Sequence, residues 1–372
     1  MDFEQTPEGR AAAELAASIL EKHSSPDRLR LVDKFAIRFD FQLWRHFAES
    51  QLISLAVPEE QGGSALGILE ACSVLIEIGR AVAPIPLGTH LITGMTIARF
   101  GSEPQKARWL REGGEGELIL TPALSEEFSY NPLKPVTRAE NDGTQWMLTG
   151  AKTVVPVGPL ADLFVVPATT SDGVTVFLVH ADDPGVVITN QELSGGELAA
   201  RLDLDRATVP LDRVLGVIGD GEDIVRWLGA HLTVALCAQQ LGTLEGALRL
   251  TSEYAKTREQ FGRPIGTFQA VSQRLADGYI DVLGARLTLW QAAWQLSEGL
   301  PATEAVAVAK LWAADAGHRL AHTTVHVHGG VGIDLDGEAH RYFTAAKRQE
   351  FLLGGATDQA RLIGAILALR TV

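Results

Sequence analysis

The spacing of apolar residues changes its period twice along this chain, and that change limits the fold more than any single motif does. From about Pro7 to Leu110 the runs AAAELAASIL, FQLWRHFAES and ALGILEACSVLIEIGRAV place apolar residues three or four apart, the repeat of a helix with one buried face. Turn-rich breaks such as PEEQGG and GSEP separate them. From about Leu118 to Gly216 short β-branched runs take over, TQWMLTG, KTVVPV, DLFVVPA, GVTVFLVH and GVVITNQ, bounded by Gly, Pro and Asp. Beyond Glu222 four long helical patterns follow, the last ending in ARLIGAILAL. The expected fold is α+β and multidomain: an N-terminal α-helical domain over 1–117, a middle antiparallel β domain over 118–217 and a C-terminal four-helix bundle over 218–372. The bundle helices are apolar over more than one stripe, so association with further chains is expected.

With 372 residues, 46% of them hydrophobic, the chain has material for more than one buried core. Its net charge of −14 argues against nucleic acid or an anionic membrane as the main partner, since both attract basic surfaces. The N-terminal MDFEQTPEGRAAAELAASILEKH is acidic and lacks the basic start and unbroken apolar core of a signal peptide. No run reaches the ~18 to 20 apolar residues that span a membrane, and a cytoplasmic location is the expectation. Cys72 and Cys237 are the only cysteines, too few for a disulfide framework or a thiolate metal cluster, although one bridge stays open.

Residues 254–269, YAKTREQFGRPIGTFQ, carry the most specific chemistry. Tyr254 and Arg258 are four apart on one face of a helix that Gly262, Pro264 and Gly266 stop. Thr267 is the expected N-cap of the next helix, and Gln269 falls in its first turn. A guanidinium, the aromatic edge of Phe261 and a side-chain amide on one turn suit the pyrophosphate and adenine of a dinucleotide, because Arg binds phosphate oxygens bidentately and keeps its charge. A plain helical hairpin with a surface Arg is the alternative. HGGVG, His328 to Gly332, links two helices, and its glycines let the backbone approach a bulky ligand. His318, His322 and His326 recur every four residues, a spacing open to zinc or nickel. No carboxylate or Cys completes a familiar motif, so core or interface histidines and no metal are expected.

LAVPEEQGG (Leu55 to Gly63), LTGAKTVV (Leu148 to Val155), ATVPLDRVLG (Ala207 to Gly216) and VHGGVGI (Val327 to Ile333) accompany the Arg258-x-x-Phe261-Gly262 run and its Phe268–Gln269 end. Together, and in this order, they resemble the acyl-CoA dehydrogenase family over nearly the whole chain. The resemblance implies that family's fold and FAD as cofactor, with Arg258, Phe261, Gln269, His326, Gly329 and Gly330 as cofactor contacts; His326 stands where the family often has Gln. It also implies a reaction in which a Glu removes the α-proton of an acyl thioester while the β-hydride passes to the flavin.

The resemblance equally marks what is missing. Matching GGATDQARLI, Gly354 to Ile363, to the family's C-terminal run puts Gly354 where the usual catalytic Glu stands. The minority position for that base falls on Leu232, flanked by His231 and Thr233. The family loop that hydrogen-bonds the flavin corresponds to TPALSEEFSYNP, Thr121 to Pro132, which has no Gly-Ser nest. The family's Trp-x-Thr wall corresponds to Val154 and Pro156, and Pro156 offers no N–H. Ala356 and Asp358 replace the Thr and Gln that follow the Glu.

In the family's dimer the flavin end of each FAD lies in one subunit and its ADP end is held by the neighbour. A chain with a good ADP-binding half and a poor flavin-binding half resembles the non-catalytic subunit of α2β2 actinobacterial steroid side-chain acyl-CoA dehydrogenases. The implied role is a cofactor-sharing subunit, inactive alone, in a complex with a related catalytic partner that oxidises an acyl-CoA, of steroid type, to a 2,3-enoyl-CoA. A homomeric enzyme with a relocated base at Asp358, His231 or Glu350 is one alternative. A non-redox acyl-CoA-binding protein is another, and retention of Arg258, Phe261 and Gln269 counts against it.

Overall fold

The computed structural model describes residues 5–35, 37–127, 129 and 131–370. The first four residues of the N-terminal segment and Phe128 and Tyr130 of the TPALSEEFSYNP loop lie outside the described residues. The helices, in chain order, are α1 (Pro7–His23), α2 (Pro26–Val32), α3 (Phe41–Glu49), α4 (Ile68–Arg80), α5 (Leu87–Phe100), α6 (Glu103–Gly114), α7 (Gly221–Thr257), α8 (Gln269–Ser297), α9 (Thr303–His328), α10 (Ala339–Phe351) and α11 (Ala356–Arg370). The strands are β1 (Leu120–Pro122), β2 (Arg138–Asn141), β3 (Gln145–Pro156), β4 (Leu163–Thr170), β5 (Gly173–His180), β6 (Val186–Glu192), β7 (Leu198–Pro210), β8 (Val214–Leu215), β9 (Glu259–Gln260) and β10 (Arg263–Pro264). Contacts divide the chain into two compact units, Met1–Leu31 with Ile68–Pro84 and Thr233–Val372, and Val32–Gly67 with Ile85–Leu232.

In the first unit α9 is the centre, packed by α8, α10 and α11. Its small residues, Ala305, Ala309, Ala313, Ala316 and Gly317, are buried and let neighbouring helices approach closely. The tightest approach is between α4 and α7. A Cβ on Gly79 would sit 1.9 Å from the Gln239 carbonyl oxygen and one on Gly242 1.8 Å from that of Ile76, so only glycine fits where these backbones cross. Arg80 and Arg286 both pair with the half-buried Glu245, which ties α4, α7 and α8 together. α1 is started by Thr6, whose hydroxyl accepts the Gly9 N–H, and by Pro7, and it lays Ala13, Ala16 and Leu20 onto α4. The expected last bundle helix is instead two, α10 and α11, separated at Leu352–Gly355. The stretch Ala339–Arg370 also corrects the expectation that no run is apolar enough for a membrane: by length and composition it passes, although that corner interrupts it.

The second unit packs α3, α5 and α6 with an eight-stranded sheet of order β6-β7-β3-β2-β4-β5-β8, β1 pairing with β4. The expected antiparallel character holds for most pairs. β1 and β2 run parallel to β4, because each reaches it through a long connection rather than a hairpin. β4 and β5 are almost wholly buried on both faces, matching their continuous apolar runs. β3 slips register against β7 between Lys152 and Val155, and Val154 there has a φ of 50°.

Candidate cofactor site

The 254–269 segment folds as an arm at the end of α7. The helix stops at Thr257, although Arg258 N–H still reaches Tyr254 O. β9 and β10 then form a two-residue ribbon turned by Phe261 and Gly262, both left-handed at φ 54° and 74°. Two consecutive positive φ values are the geometry of a tight hairpin turn, easy for glycine and strained for a phenylalanine by ~1 kcal/mol. Phe261 is 94% exposed all the same, its ring T-shaped to that of Phe268 with centroids 6.2 Å apart. A strained, solvent-facing aromatic ring is a functional signal that packing does not explain. The expected N-cap needs correcting: α8 is capped at Phe268, and the Thr267 hydroxyl donates to Pro264 O inside a 3-10 turn. Gln269 is the first residue of α8 and is exposed.

The arm is bound to the end of α9. Ala255, Ile265 and Val327 form a buried cluster against which Tyr254, Phe268, Val271 and Leu275 pack. Tyr254 stacks on His328 at 4.3 Å, and His328 Nδ1–H donates to Thr324 O. Val327 lies between His326 and His328, so the same apolar patch fixes both the arm and the Gly-Gly loop. Gly329 is left-handed at φ 64°, and a Cβ on Gly329 or Gly330 would meet nothing within 4 Å, which leaves the loop open to a ligand. Arg258 and His326 are exposed, and no ion pair engages the Arg258 guanidinium among the described residues. His318, by contrast, is committed to Glu350, which also takes Lys347. One end of the first unit therefore carries all six expected contacts, Arg258, Phe261, Gln269, His326, Gly329 and Gly330, on elements that pack on one another. An ADP moiety fits these donors and this open loop.

The stretch expected from the resemblance to face the flavin looks inward. In the second unit the Val154 N–H donates to Gln191 Oε1 at 2.7 Å, and the Thr121 hydroxyl donates to Pro156 O at 2.6 Å. Glu126 is buried and accepts from Val136 N–H, Thr137 N–H, the Thr137 hydroxyl and Lys152, whose ammonium also donates to Pro167 O. Burial raises the Glu126 pKa, but the Lys152 charge and these hydrogen bonds outweigh it and hold the carboxyl below its usual range. Burial pushes Lys152 down to about 8 against the pull of Glu126. These named polar groups, Thr121, Glu126, Lys152, the Val154 N–H and Gln191, are thus hydrogen-bonded to protein partners. Sequence reasoning missed Gln191 and the Glu126–Lys152 pair. Lys152 was detectable, since it shares the inward phase of β3 with Trp146 and Leu148.

Neither of the two positions where the resemblance expects the base, Gly354 and Leu232, is an acid. Leu232 is buried and apolar. His231 beside it stacks on Trp227 at 3.6 Å with Nδ1–H on Trp227 O, and burial lowers its pKa to about 4, making it a weak base. Asp358 caps α11 by accepting the Gly355 N–H at 3.0 Å. Gly354 lies in the α10–α11 corner with φ 92°.

Comparison with known proteins agrees with the fold. The acyl-CoA dehydrogenase N-terminal, middle and C-terminal domain families match residues 6–117, 125–202 and 219–367. Acyl-CoA dehydrogenase FadE27 of Mycobacterium tuberculosis is 46% identical over 377 residues, 99% of each chain. A chain of the ChsE4-ChsE5 complex from the same organism superposes with a TM-score of 0.94 at 46% identity, again covering 99% of both. A chain of the Tcur3481-Tcur3483 steroid ACAD does so at 0.91 and 39%, covering 98% of both. This chain belongs to the acyl-CoA dehydrogenase family.

Proposed function

We propose that this chain is the non-catalytic subunit of a heteromeric, FAD-dependent acyl-CoA dehydrogenase, supplying the ADP-binding half of a FAD whose flavin end and catalytic base belong to a related partner. In this reading 1–117, 118–217 and 218–372 are its sequence units, and the complex works in the cytoplasm as an α2β2 assembly. The observation that carries it is the asymmetry between an open ADP half, with Arg258 free and Gly329 and Gly330 uncovered, and a self-satisfied flavin half around Glu126, Lys152 and Gln191. Bound FAD supplies the hydride acceptor; Arg258 would hold its pyrophosphate, with Phe261 and Gln269 bordering the rest of the ADP. The two similar structures are both two-component complexes by name, one of them a steroid ACAD, which favours a partner of the same family and a steroid-type acyl-CoA. Against a relocated base stand the low basicity of His231 and the capping role of Asp358. The test is expression with and without a partner dehydrogenase. Alone the chain is expected to hold little FAD and to be inactive; a yellow, active homomer would overturn the proposal.

A further inference from the structure

The corner between α10 and α11 is held from both sides. Upstream, the buried Lys310 of α9 donates to the carbonyls of Gln349 and Glu350, at 3.0 Å each, satisfying the orphan end of α10. Downstream, Gln359 of α11, itself buried, donates through Nε2 to Leu353 O at 3.0 Å. Between these clamps Leu353 and Gly354 are both left-handed, at φ 58° and 92°. A Cβ on Gly354 would lie 2.8 Å from Gln359 Nε2 and 3.4 Å from Asp358 Cβ. Two independent features, the dihedral and the position of the amide, therefore disfavour any side chain at residue 354.

We infer that Gln359 shapes this corner: its hydrogen-bonded amide occupies the space that a Cβ at 354 would enter, so a side chain there must displace the amide from Leu353 O as well as adopt a positive φ. The consequence rests on the reading above, in which 354 is the position of the missing acid. Under that reading this chain is committed to its non-catalytic role, since a single Gly354→Glu change both strains the backbone and displaces the amide that sets the turn. Gln359 acts on the geometry of Leu353 and Gly354 and touches no substrate.

The test is a cycle of variants measured by thermal melting of the purified complex, with flavin counted on the same samples. Gly354→Ala is expected to lower the melting temperature by roughly 2–6 °C. Gln359→Glu keeps the volume without the N–H donor, and adding Gly354→Ala to it should remain damaging. Gln359→Ala removes the volume, and in that background Gly354→Ala should cost clearly less than it does in the parent. A Gly354→Ala protein as stable as the parent, or an equal cost in all three backgrounds, overturns the inference. Flavin content is expected to stay at the parent's level throughout, because the corner variants leave Arg258 and the Gly-Gly loop intact. That separates the two failures: melting temperatures judge the corner, and flavin counts judge the shared-cofactor reading.

Discussion

Replacing Arg258 by alanine in the assembled complex isolates a contact on which the proposed cofactor sharing rests. The side chain is exposed, sits just beyond the last turn of α7 and makes no ion pair among the described residues, so its loss should change the stability of the fold by less than ~0.5 kcal/mol. Hydrogen bonds from a guanidinium to phosphate contribute ~1.5–3 kcal/mol, which converts to roughly 10- to 160-fold weaker FAD binding. The lower part of that range suits a site still open to solvent. Flavin fluorescence released on dilution measures the affinity, and a melting curve on the same sample checks the fold. Arg258→Lys should recover only part of the loss, because an ammonium lacks the planar fork. Unchanged FAD affinity in a folded Arg258→Ala complex would refute the reasoning; Arg263→Ala, which removes the other exposed guanidinium of the β9–β10 ribbon, is the control.

Lys152→Met should destabilise the chain by ~3–5 kcal/mol in urea unfolding, because it leaves the Glu126 carboxylate buried without its cation; adding Glu126→Gln should recover much of that, and a neutral single substitution would count against the pair. Stability should also depend on pH through His90, which is buried with Nε2–H on Gly113 O and Nδ1 accepting from Leu120 N–H, its pKa pushed down to about 4 by burial. Between about 4 and the usual histidine value the unfolded chain binds the extra proton, so stability falls as pH drops through that window, by on the order of 3 kcal/mol in full. His90→Gln should flatten that slope in acid unfolding curves; an unchanged slope would remove His90 as its source.

The order of helices, strands and helices was legible because hydrophobic period is a local property, whereas the two compact units, each drawn from separate stretches of chain, were not. The switch to β-branched runs at Leu118 and back to helix after Glu222 needs no knowledge of partners. The arm was legible for the same reason, since Arg258, Phe261 and Gln269 are close in the chain. What escaped depends on distant residues. Gln191 takes the Val154 N–H from β6, Glu126 of the β1–β2 connection meets Lys152 of β3, and β1 pairs in parallel with β4, so none of these follows from neighbours in sequence. Thr267 was the better N-cap by residue type, but the 3-10 turn closed by Pro264 moved the helix start by one residue. The division of the last helix at Leu352–Gly355 was hinted at by Gly354 and Gly355, and the apolar periodicity on either side hid it.

Counting flavins per chain tests the central claim most directly. If each FAD takes its flavin pocket from the partner and its ADP grip from this chain, native mass and flavin absorbance on the purified complex should give two flavins for four chains. Activity should vanish when the partner's catalytic acid is removed and persist with Asp358→Ala or His231→Ala in this chain. Four flavins for four chains, or loss of activity with either alanine while the fold is retained, would place a working active site here and contradict the account.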